Sequence, residues 1–243
     1  GLGTLGFTGS RNWYDMMRNL EDEGYFVLNS INSYDLCNSK YMSYLKCLQH
    51  DIRTPKTEPI VHSETVEDTV KKLGTDFPIV LKSSTGTQTG VGVVIVESLR
   101  SLKALVQMTQ MYNKYLPIII QEFIKIEYDM RVIVCEGEVV GSMKRIVMSD
   151  DVRSNASMGA DTEILELTEL EKSESIRIAE EFDGRVVGVD LIPAKDRENE
   201  LPYCLEINAN PGLNGIEEIS KESPTKKILE KYKDRSIWPV STP

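Results

Sequence analysis

An aspartate inside an otherwise apolar segment near the end of the chain places a strong limit on the fold. The segment reads Val-Gly-Val-Asp-Leu-Ile over 187–192, and its charged residue is Asp190. A carboxylate buried in a strand is unfavourable unless a cation pairs with it or a metal binds it. The next apolar segment ends in Glu206-Ile-Asn208, and side chains two apart in a strand point to the same face. We therefore expect two neighbouring strands that bring these three oxygen donors together.

These three side chains allow two interpretations. Carboxylate and amide oxygens are the ligands that Mg²⁺ prefers, with substrate phosphates completing the octahedron. In the alternative, Asp190 forms a buried ion pair with a basic side chain, and "EINANPGLNG" over 206–215 is a strand end followed by a polar turn. Both interpretations remain open at the level of these residues.

A glycine-rich loop between two apolar segments is the second informative feature. Segments 78–82 and 93–96 are predicted strands, and the polar loop 83–92 joins them, with Lys82 at the end of the first strand. Glycines let backbone N–H groups approach phosphates, and an ammonium group at this position can reach phosphate oxygens. The loop lacks the G-K-[ST] signature of a Walker A loop. An ordinary flexible hairpin with a solvated lysine is the alternative.

Composition and charge exclude several classes of protein. The chain has 243 residues, 40% hydrophobic and 27% charged, which is typical of a globular protein with one or two domains. Its net charge of −10 argues against non-specific binding to nucleic acids or anionic membranes, and no apolar run approaches membrane-spanning length. The four cysteines lack C-x-x-C spacing, so we expect reduced thiols in a cytoplasmic protein.

The hydrophobic periodicity predicts a mixture of helices and strands. The predicted helices lie around 13–20, from 39 to just before 55, and at 63–73, 98–112 and 168–184. The predicted strands are 25–28, 78–82, 93–96, 118–123, 129–135, 139–147, 185–192 and 201–207. Thr168-Glu-Leu-Glu171 has the sequence of a capping box. Residues 148–163 are polar and irregular, and we expect a loop there.

The order of these features resembles the ATP-grasp superfamily, and within it the RimK-like enzymes that modify ribosomal protein S6. The stretches that carry the resemblance include "IVLKSSTGTQTGVGVV", "IIIQEFIK", "DMRVIVCEGEVVGSMKR", "VRSNASMGA", "VVGVDLIP" and "CLEINANPGLNGIE". They occur in one order over nearly the whole chain, which is far more specific than any single motif. The stretch Ala156–Ala160 is less basic than the family pattern, which leaves the acceptor specificity open.

The resemblance implies an α/β (α+β) chain with the ATP-grasp fold, in which two α/β subdomains clasp ATP. It divides the chain into a truncated pre-ATP-grasp segment at 1–36, a small subdomain with a phosphate flap at 37–120, and a large subdomain with a metal site at 121–243. The expected cofactors are ATP and two Mg²⁺ or Mn²⁺ ions.

The resemblance also implies a role for each matched residue. The residues expected to bind the nucleotide are Lys40 and Lys82 at its phosphates, Gln121, Glu122, Phe123 and Ile124 in a hinge that holds adenine, and Asp129, Arg153, Ser154 and Asn155. The expected metal ligands are Asp190, Glu206 and Asn208. The arginines expected to hold the reacting carboxylate and the tetrahedral oxyanion are Arg131, Arg145 and Arg153. For Arg131, a salt bridge on the strand face is the alternative.

The activity implied by the resemblance is that of an ATP-dependent carboxylate–amine ligase, which works through an acyl phosphate and releases ADP. We expect it to add glutamate to the C-terminus of a protein or peptide. Two alternatives remain: a ligase of the glutathione-synthetase or γ-glutamyl-ligase kind, and a non-catalytic ATP-binding module. The expected partners are ATP, glutamate or another amino acid, and the acceptor, with no nucleic acid and no membrane. The family's dimers and tetramers also allow a homo-oligomer.

Overall fold

Two antiparallel sheets form the framework of the protein in the computed structural model, which describes residues 11–84, 93–146, 161–234 and 236. The strands of the first sheet are β1 (Thr57–Ile60), β2 (Ile79–Ser83), β3 (Val93–Val96) and β4 (Ile118–Glu122). They lie in the order β1-β4-β2-β3. The strands of the second sheet are β5 (Tyr128–Cys135), β6 (Glu138–Ile146), β7 (Thr162–Ile164), β8 (Val186–Ile192) and β9 (Tyr203–Asn208). Their order is β7-β6-β5-β8-β9.

Helices lie before, between and after these strands, so the chain has the mixed α+β architecture that the sequence predicted. The helices are α1 (Arg11–Asp22), α2 (Ile31–Asn38), α3 (Lys40–Gln49), α4 (Val66–Leu73), α5 (Leu99–Tyr112), α6 (Glu169–Glu181), α7 (Asn214–Ile219) and α8 (Pro224–Lys233). A turn of 3-10 helix, Ser63–Thr65, leads into α4. None of the described helices combines the length and the apolar character needed to cross a bilayer.

Local signals in the sequence explain where several helices begin and end. Ser39 and Ser98 cap α3 and α5, because each hydroxyl accepts a hydrogen bond from a free backbone N–H of the first turn. Thr168 and Glu171 form the predicted capping box at the start of α6. Gly74, at a φ of 65°, ends α4 in the left-handed region that glycine adopts without strain.

The β5–β6 pair is the predicted hairpin. Its turn residues Glu136 and Gly137 have φ values of 47° and 72°. Two successive positive φ angles give a turn whose twist matches that of the flanking strands. The hairpin places the start of β5 beside the end of β6, so that Asp129 lies opposite Arg145.

Three apolar cores hold the helices on the sheets. In the first sheet, α4 and α5 pack around buried residues such as Leu102 and Ile120. In the second sheet, α6 packs on one face, where Phe182 contacts the core that contains Met130. On the opposite face, α7 and α8 cover the half that includes Ile133. The remaining half of that face carries charged side chains.

The strand predicted at 25–28 is wrong. The backbone N–H of Tyr25 bonds back to the carbonyl of Leu20 at 2.9 Å, and the segment joins neither sheet in the described part of the chain. Its apolar character serves side-chain packing instead: the ring of Phe26 lies 5.9 Å from that of Tyr232 and 5.1 Å from the guanidinium of Arg185.

Two short strands and one helix were not predicted. β1 and β7 are edge strands of three or four residues. Such strands need no long apolar alternation, and an edge tolerates a proline such as Pro59. β7 also overlaps the last two residues of the stretch 148–163 that was predicted to be a loop. Helix α2 was missed, and α6 ends at Glu181 rather than at Gly184, whose N–H bonds the carbonyl of Ala179 at 2.8 Å.

Candidate functional site

A cleft between the two sheets brings together four of the residues that the sequence singled out. The space between its lining residues is about 360 Å³ with open solvent included. Its lining includes Lys40 from α3, Lys82 from β2, Gln121 from β4 and Glu206 from β9. Residues far apart in the chain therefore place two cations, an amide and a carboxylate around one space.

Lys40 links the two sides of this cleft. Its ammonium group donates to the Glu206 carboxylate at 2.8 Å, and its backbone N–H donates to the carbonyl of Ser84 at 2.8 Å. Ser84 stands at the entrance of the glycine-rich loop, so the first turn of α3 is fixed to the place where that loop begins. A cation at a helix N-terminus opposes the helix dipole, and Glu206 offsets that repulsion.

Lys82 lines the cleft from β2 of the first sheet. Its ammonium group donates to Oε1 of Gln121 at 2.5 Å. The pKa of Lys82 is lowered to about 8, chiefly by burial; Glu206 opposes this shift, and Lys40 adds to it. A desolvated ammonium of this kind gains strongly from an anion that enters the cleft.

A row of charged side chains crosses the second sheet next to the cleft. Arg145 on β6 donates to both carboxylate oxygens of Asp129 on β5, at 2.6 and 2.7 Å. Arg131 on β5 donates to both oxygens of Asp190 on β8, at 2.7 Å each. Arg145 also reaches Asp190 at 3.2 Å. Glu206 on β9 lies directly opposite Asp190 in the strand register, so one face carries all five charges.

The charges of this row stabilise one another. Burial alone would raise the pKa of Asp190, but Arg131 and Arg145 lower it more, so the carboxylate is held below its ordinary value. Burial also opposes the charge of Arg145, yet Asp190 and Asp129 raise its pKa above the ordinary value. Both groups are therefore ionised at neutral pH. The buried ion pair, which was one of the two interpretations of Asp190, is therefore present. Its partner is Arg131, so the alternative interpretation of Arg131 as a strand-face salt bridge is also observed.

The three expected metal ligands lie on neighbouring strands. Asn208 pairs with Gly188, two residues before Asp190, so its side chain shares the face of Asp190 and Glu206. The amide nitrogen of Asn208 is buried and has no hydrogen-bond partner in the described part of the chain. A rotation of this amide would present its oxygen instead. An unsatisfied buried amide beside two carboxylates fits a cation site built from hard oxygen donors.

The described residues contain no cluster of three or more histidine, cysteine, aspartate or glutamate side chains able to hold a metal ion. A cation here would accordingly rely on two carboxylates, the Asn208 amide and oxygens from a substrate. This combination suits Mg²⁺, which keeps few protein ligands and takes others from phosphates.

The predicted hinge connects the two sheets. Gln121 and Glu122 end β4, while Phe123 and Ile124 are half-buried in the irregular connection to β5. Glu122 already contacts Lys56: its backbone N–H donates to the Lys56 carbonyl at 2.8 Å, and its carboxylate accepts from the Lys56 N–H at 3.2 Å. The side chains of Gln121 and Glu122 already have hydrogen-bond partners within the protein. An adenine ring would therefore contact mainly the backbone groups of the hinge and the side chains of Phe123 and Ile124.

Asp129 was expected to complete the nucleotide pocket. It is 1% exposed, and Arg145 engages both of its oxygens. In this structure it supports Arg145, and its contact with a nucleotide stays a prediction.

Other predicted contacts lie outside the described residues. They are Arg153, Ser154 and Asn155, together with residues 85–92 of the glycine-rich loop and most of the stretch 148–163. The roles assigned to them stay predictions.

Sequence reasoning missed Asn29, which supports the strand end next to Asn208. Its amide nitrogen donates to the carbonyls of Val186 and Ala209 at 2.7 and 2.5 Å. Its oxygen accepts from the N–H groups of Arg185 and Val186 at 2.8 and 2.9 Å. A polar residue after a short apolar run gave no signal of such a role, since the partners lie more than 150 positions away.

Comparisons with known proteins identify the family of this chain. The chain matches the family model described as "RimK-like ATP-grasp domain" over residues 37–232. A "Probable alpha-L-glutamate ligase" of Coxiella burnetii (strain RSA 493 / Nine Mile phase I) is 33% identical over 227 residues, covering 93% of this chain and 72% of that protein. A "Coenzyme gamma-F420-2:alpha-L-glutamate ligase" of Methanocaldococcus jannaschii is 32% identical over 216 residues, covering 87% of this chain and 71% of that protein.

Solved structures share the fold. The ATP-grasp ligase PsnB in complex with a minimal precursor has a TM-score of 0.67 at 19% identity and covers 92% of this chain and 69% of its own. D-alanine--D-alanine ligase from Bacillus anthracis in complex with ATP has a TM-score of 0.66 at 20% identity, covering 88% of this chain and 68% of its own. The chain therefore belongs to the RimK-like ATP-grasp family of ATP-dependent, ADP-forming ligases, as the order of its motifs predicted.

Proposed function

We propose that the protein joins a carboxylate acceptor to the amino group of glutamate, driven by cleavage of ATP to ADP and phosphate. The observation that carries this proposal is the convergence of Lys40, Lys82, Gln121 and Glu206 on one cleft between the two sheets. Relatives named as glutamate ligases at 33% and 32% identity support the choice of glutamate.

ATP would lie in this cleft, with residues 37–120 on one side and residues 121–243 on the other. Lys40 and Lys82 would contact its phosphates, because both ammonium groups line the cleft. The hinge at 121–124 would hold adenine, chiefly through backbone groups and the half-buried Phe123 and Ile124. Residues 1–36 would precede the catalytic unit.

Asp190, Glu206 and Asn208 would hold two Mg²⁺ or Mn²⁺ ions. Bound at this position, the ions neutralise phosphate charge and orient the transferring group. In this structure Lys40 pairs with Glu206, one of the proposed metal ligands. When Mg-ATP binds, the ammonium of Lys40 would leave this carboxylate and contact a phosphate instead.

The reaction would proceed in two steps. An oxygen of the acceptor carboxylate attacks the γ-phosphorus of ATP, and the bond between the γ-phosphorus and the bridging oxygen of the β-phosphate breaks. ADP departs, and the acceptor has become an acyl phosphate. The glutamate amine then attacks the acyl carbon, loses a proton, and expels inorganic phosphate to give an amide. The protein's task is to position the reactants and to stabilise negative charge.

The two arginines of the second sheet differ in exposure, and this difference suits them to different roles. The side chain of Arg131 is 16% exposed and that of Arg145 is 4% exposed. Arg131 can therefore turn part of its guanidinium toward a reacting carboxylate, whereas Arg145 holds Asp129 and Asp190 in place. Arg153 remains a third candidate for contact with the carboxylate.

For the acceptor, we propose the C-terminal carboxylate of a protein or peptide, as in modification of ribosomal protein S6. A small molecule that already carries γ-linked glutamate is the second candidate. The relative from Methanocaldococcus jannaschii, whose name specifies a coenzyme acceptor, favours this second candidate.

Acceptor profiling tests the proposal. The protein is incubated with Mg-ATP and glutamate plus either C-terminal peptides resembling S6 or γ-glutamyl small molecules, and ADP and product mass are measured. ADP formation that needs both glutamate and one acceptor class supports the ligase and identifies the acceptor. ATP binding without ADP across the whole panel would contradict it in favour of a non-catalytic ATP-binding module.

A further inference from the structure

A chain of hydrogen bonds crosses three strands of the first sheet and ends at Lys82. The Thr57 hydroxyl on β1 donates to the carbonyl of Pro55 at 3.0 Å. The amide nitrogen of Gln121 on β4 donates to the Thr57 oxygen at 2.9 Å. The ammonium of Lys82 on β2 donates to the amide oxygen of Gln121 at 2.5 Å. Thr57 is 1% exposed and Gln121 is 6% exposed, so the bond between these two side chains is shielded from water.

The chemistry of the groups determines the direction of every bond in this chain. A carbonyl can only accept, so the single hydroxyl proton of Thr57 is committed to Pro55. The Thr57 oxygen can then only accept, and it selects the nitrogen end of the Gln121 amide. The oxygen end must face Lys82, whose ammonium can only donate. The orientation of the amide is therefore fixed from both ends.

We propose that Thr57 is a positioning residue, which fixes the amide of Gln121 so that its oxygen holds the Lys82 ammonium in the cleft. The inference rests on the proposed function, because it takes Lys82 to be a phosphate contact. Without the Thr57 hydroxyl, Nε2 of Gln121 loses its buried acceptor, and only the bond to Lys82 still orients the amide. The amide and the ammonium that it holds are then less firmly fixed, and the ammonium leaves the phosphate position more readily.

Isosteric replacement of Thr57 tests this role. Thr57→Val removes the hydroxyl and keeps the branched shape, whereas Thr57→Ser keeps the hydroxyl. Loss of the buried hydrogen bond between Thr57 and the Gln121 amide should weaken Mg-ATP binding by up to roughly tenfold in Thr57→Val. Adenosine binding should not change, since it has no phosphate, and Thr57→Ser should bind Mg-ATP like the original protein. Thr57→Ala, which also lacks the hydroxyl, should repeat the loss if the valine variant folds poorly.

A double-mutant cycle with Lys82→Met separates positioning from general structure. In the Lys82→Met background, Thr57→Val should cause no further loss of Mg-ATP affinity by calorimetry. Equal losses in both backgrounds, an unchanged affinity in Thr57→Val, or failure of Thr57→Ser to restore binding would overturn the inference and leave the ligase proposal intact. Unchanged affinity in Lys82→Met alone would overturn the phosphate contact and this inference with it.

Discussion

Mg-ATP binding should take up a proton in mildly alkaline solution, and Lys82 is the group expected to accept it. The pKa of Lys82 is lowered to about 8, chiefly by burial; Glu206 opposes this shift, and Lys40 adds to it. Phosphate oxygens beside the ammonium favour its charged form, so bound ATP should raise this pKa toward the ordinary value of about 10.4.

The size of the effect follows from these two values. With a pKa of about 8, Lys82 is about nine-tenths protonated at pH 7 and about one-tenth protonated at pH 9. Because the charged form binds phosphate, affinity is full below pH 8 and is lost as the pH rises above it. The apparent affinity should fall roughly tenfold between pH 7 and pH 9, and binding at pH 9 should take up close to one proton.

Calorimetry in two buffers of different ionisation enthalpy measures this proton directly. Lys82→Arg is the matched control, since a guanidinium stays charged and should show neither the uptake nor the decline in affinity. Cys37 and Cys135 do not interfere, because burial raises their pKa values to about 12 and about 11. A flat affinity between pH 7 and pH 9, or equal uptake by the arginine variant, would refute the reasoning.

Three substitutions test the framework around the site by urea unfolding. Asp129→Asn leaves the buried Arg145 without its bidentate partner and should destabilise the protein by about 3 kcal/mol; a loss near zero would show that the pair contributes little. Gly188→Ala places a Cβ 2.9 Å from that of Pro211, so we expect a loss of about 1–3 kcal/mol, and an unchanged midpoint would contradict this close approach. Asn29→Asp sets an oxygen against two backbone carbonyls and should cost about 2–3 kcal/mol; a stable variant would argue against the observed bonds.

The central part of the site could be predicted from sequence because its signals are local. Asp190 is an acid in an apolar segment, and Glu206 is an acid two residues before Asn208. This pattern predicted two neighbouring strands, and Asp190 does pair with Glu206 in the strand register. Lys82 could be located because it ends an apolar segment before a glycine-rich loop. The roles of these residues remain proposals, but their placement around one cleft and one sheet face is observed.

The supporting residues could not be predicted, because their roles depend on strand register. Thr57 lies in a four-residue edge strand, and its partner Gln121 is 64 positions away. The pairing of Arg131 with Asp190 likewise follows from the contact between β5 and β8. The apolar segment around Phe26 misled the prediction, because periodicity does not distinguish a strand from an extended segment that packs through its side chains.

Glutamate-dependent ADP formation in a matched pair of variants tests the central claim most directly. Glu206→Gln removes a carboxylate from the cleft, whereas Glu163→Gln removes one from β7 that is 57% exposed and pairs with Lys144. With Mg-ATP, glutamate and an acceptor, we expect the original protein and Glu163→Gln to form ADP at similar rates, and Glu206→Gln to be slower by roughly a hundredfold or more. Equal rates in both variants would contradict the assignment of this cleft as the catalytic site.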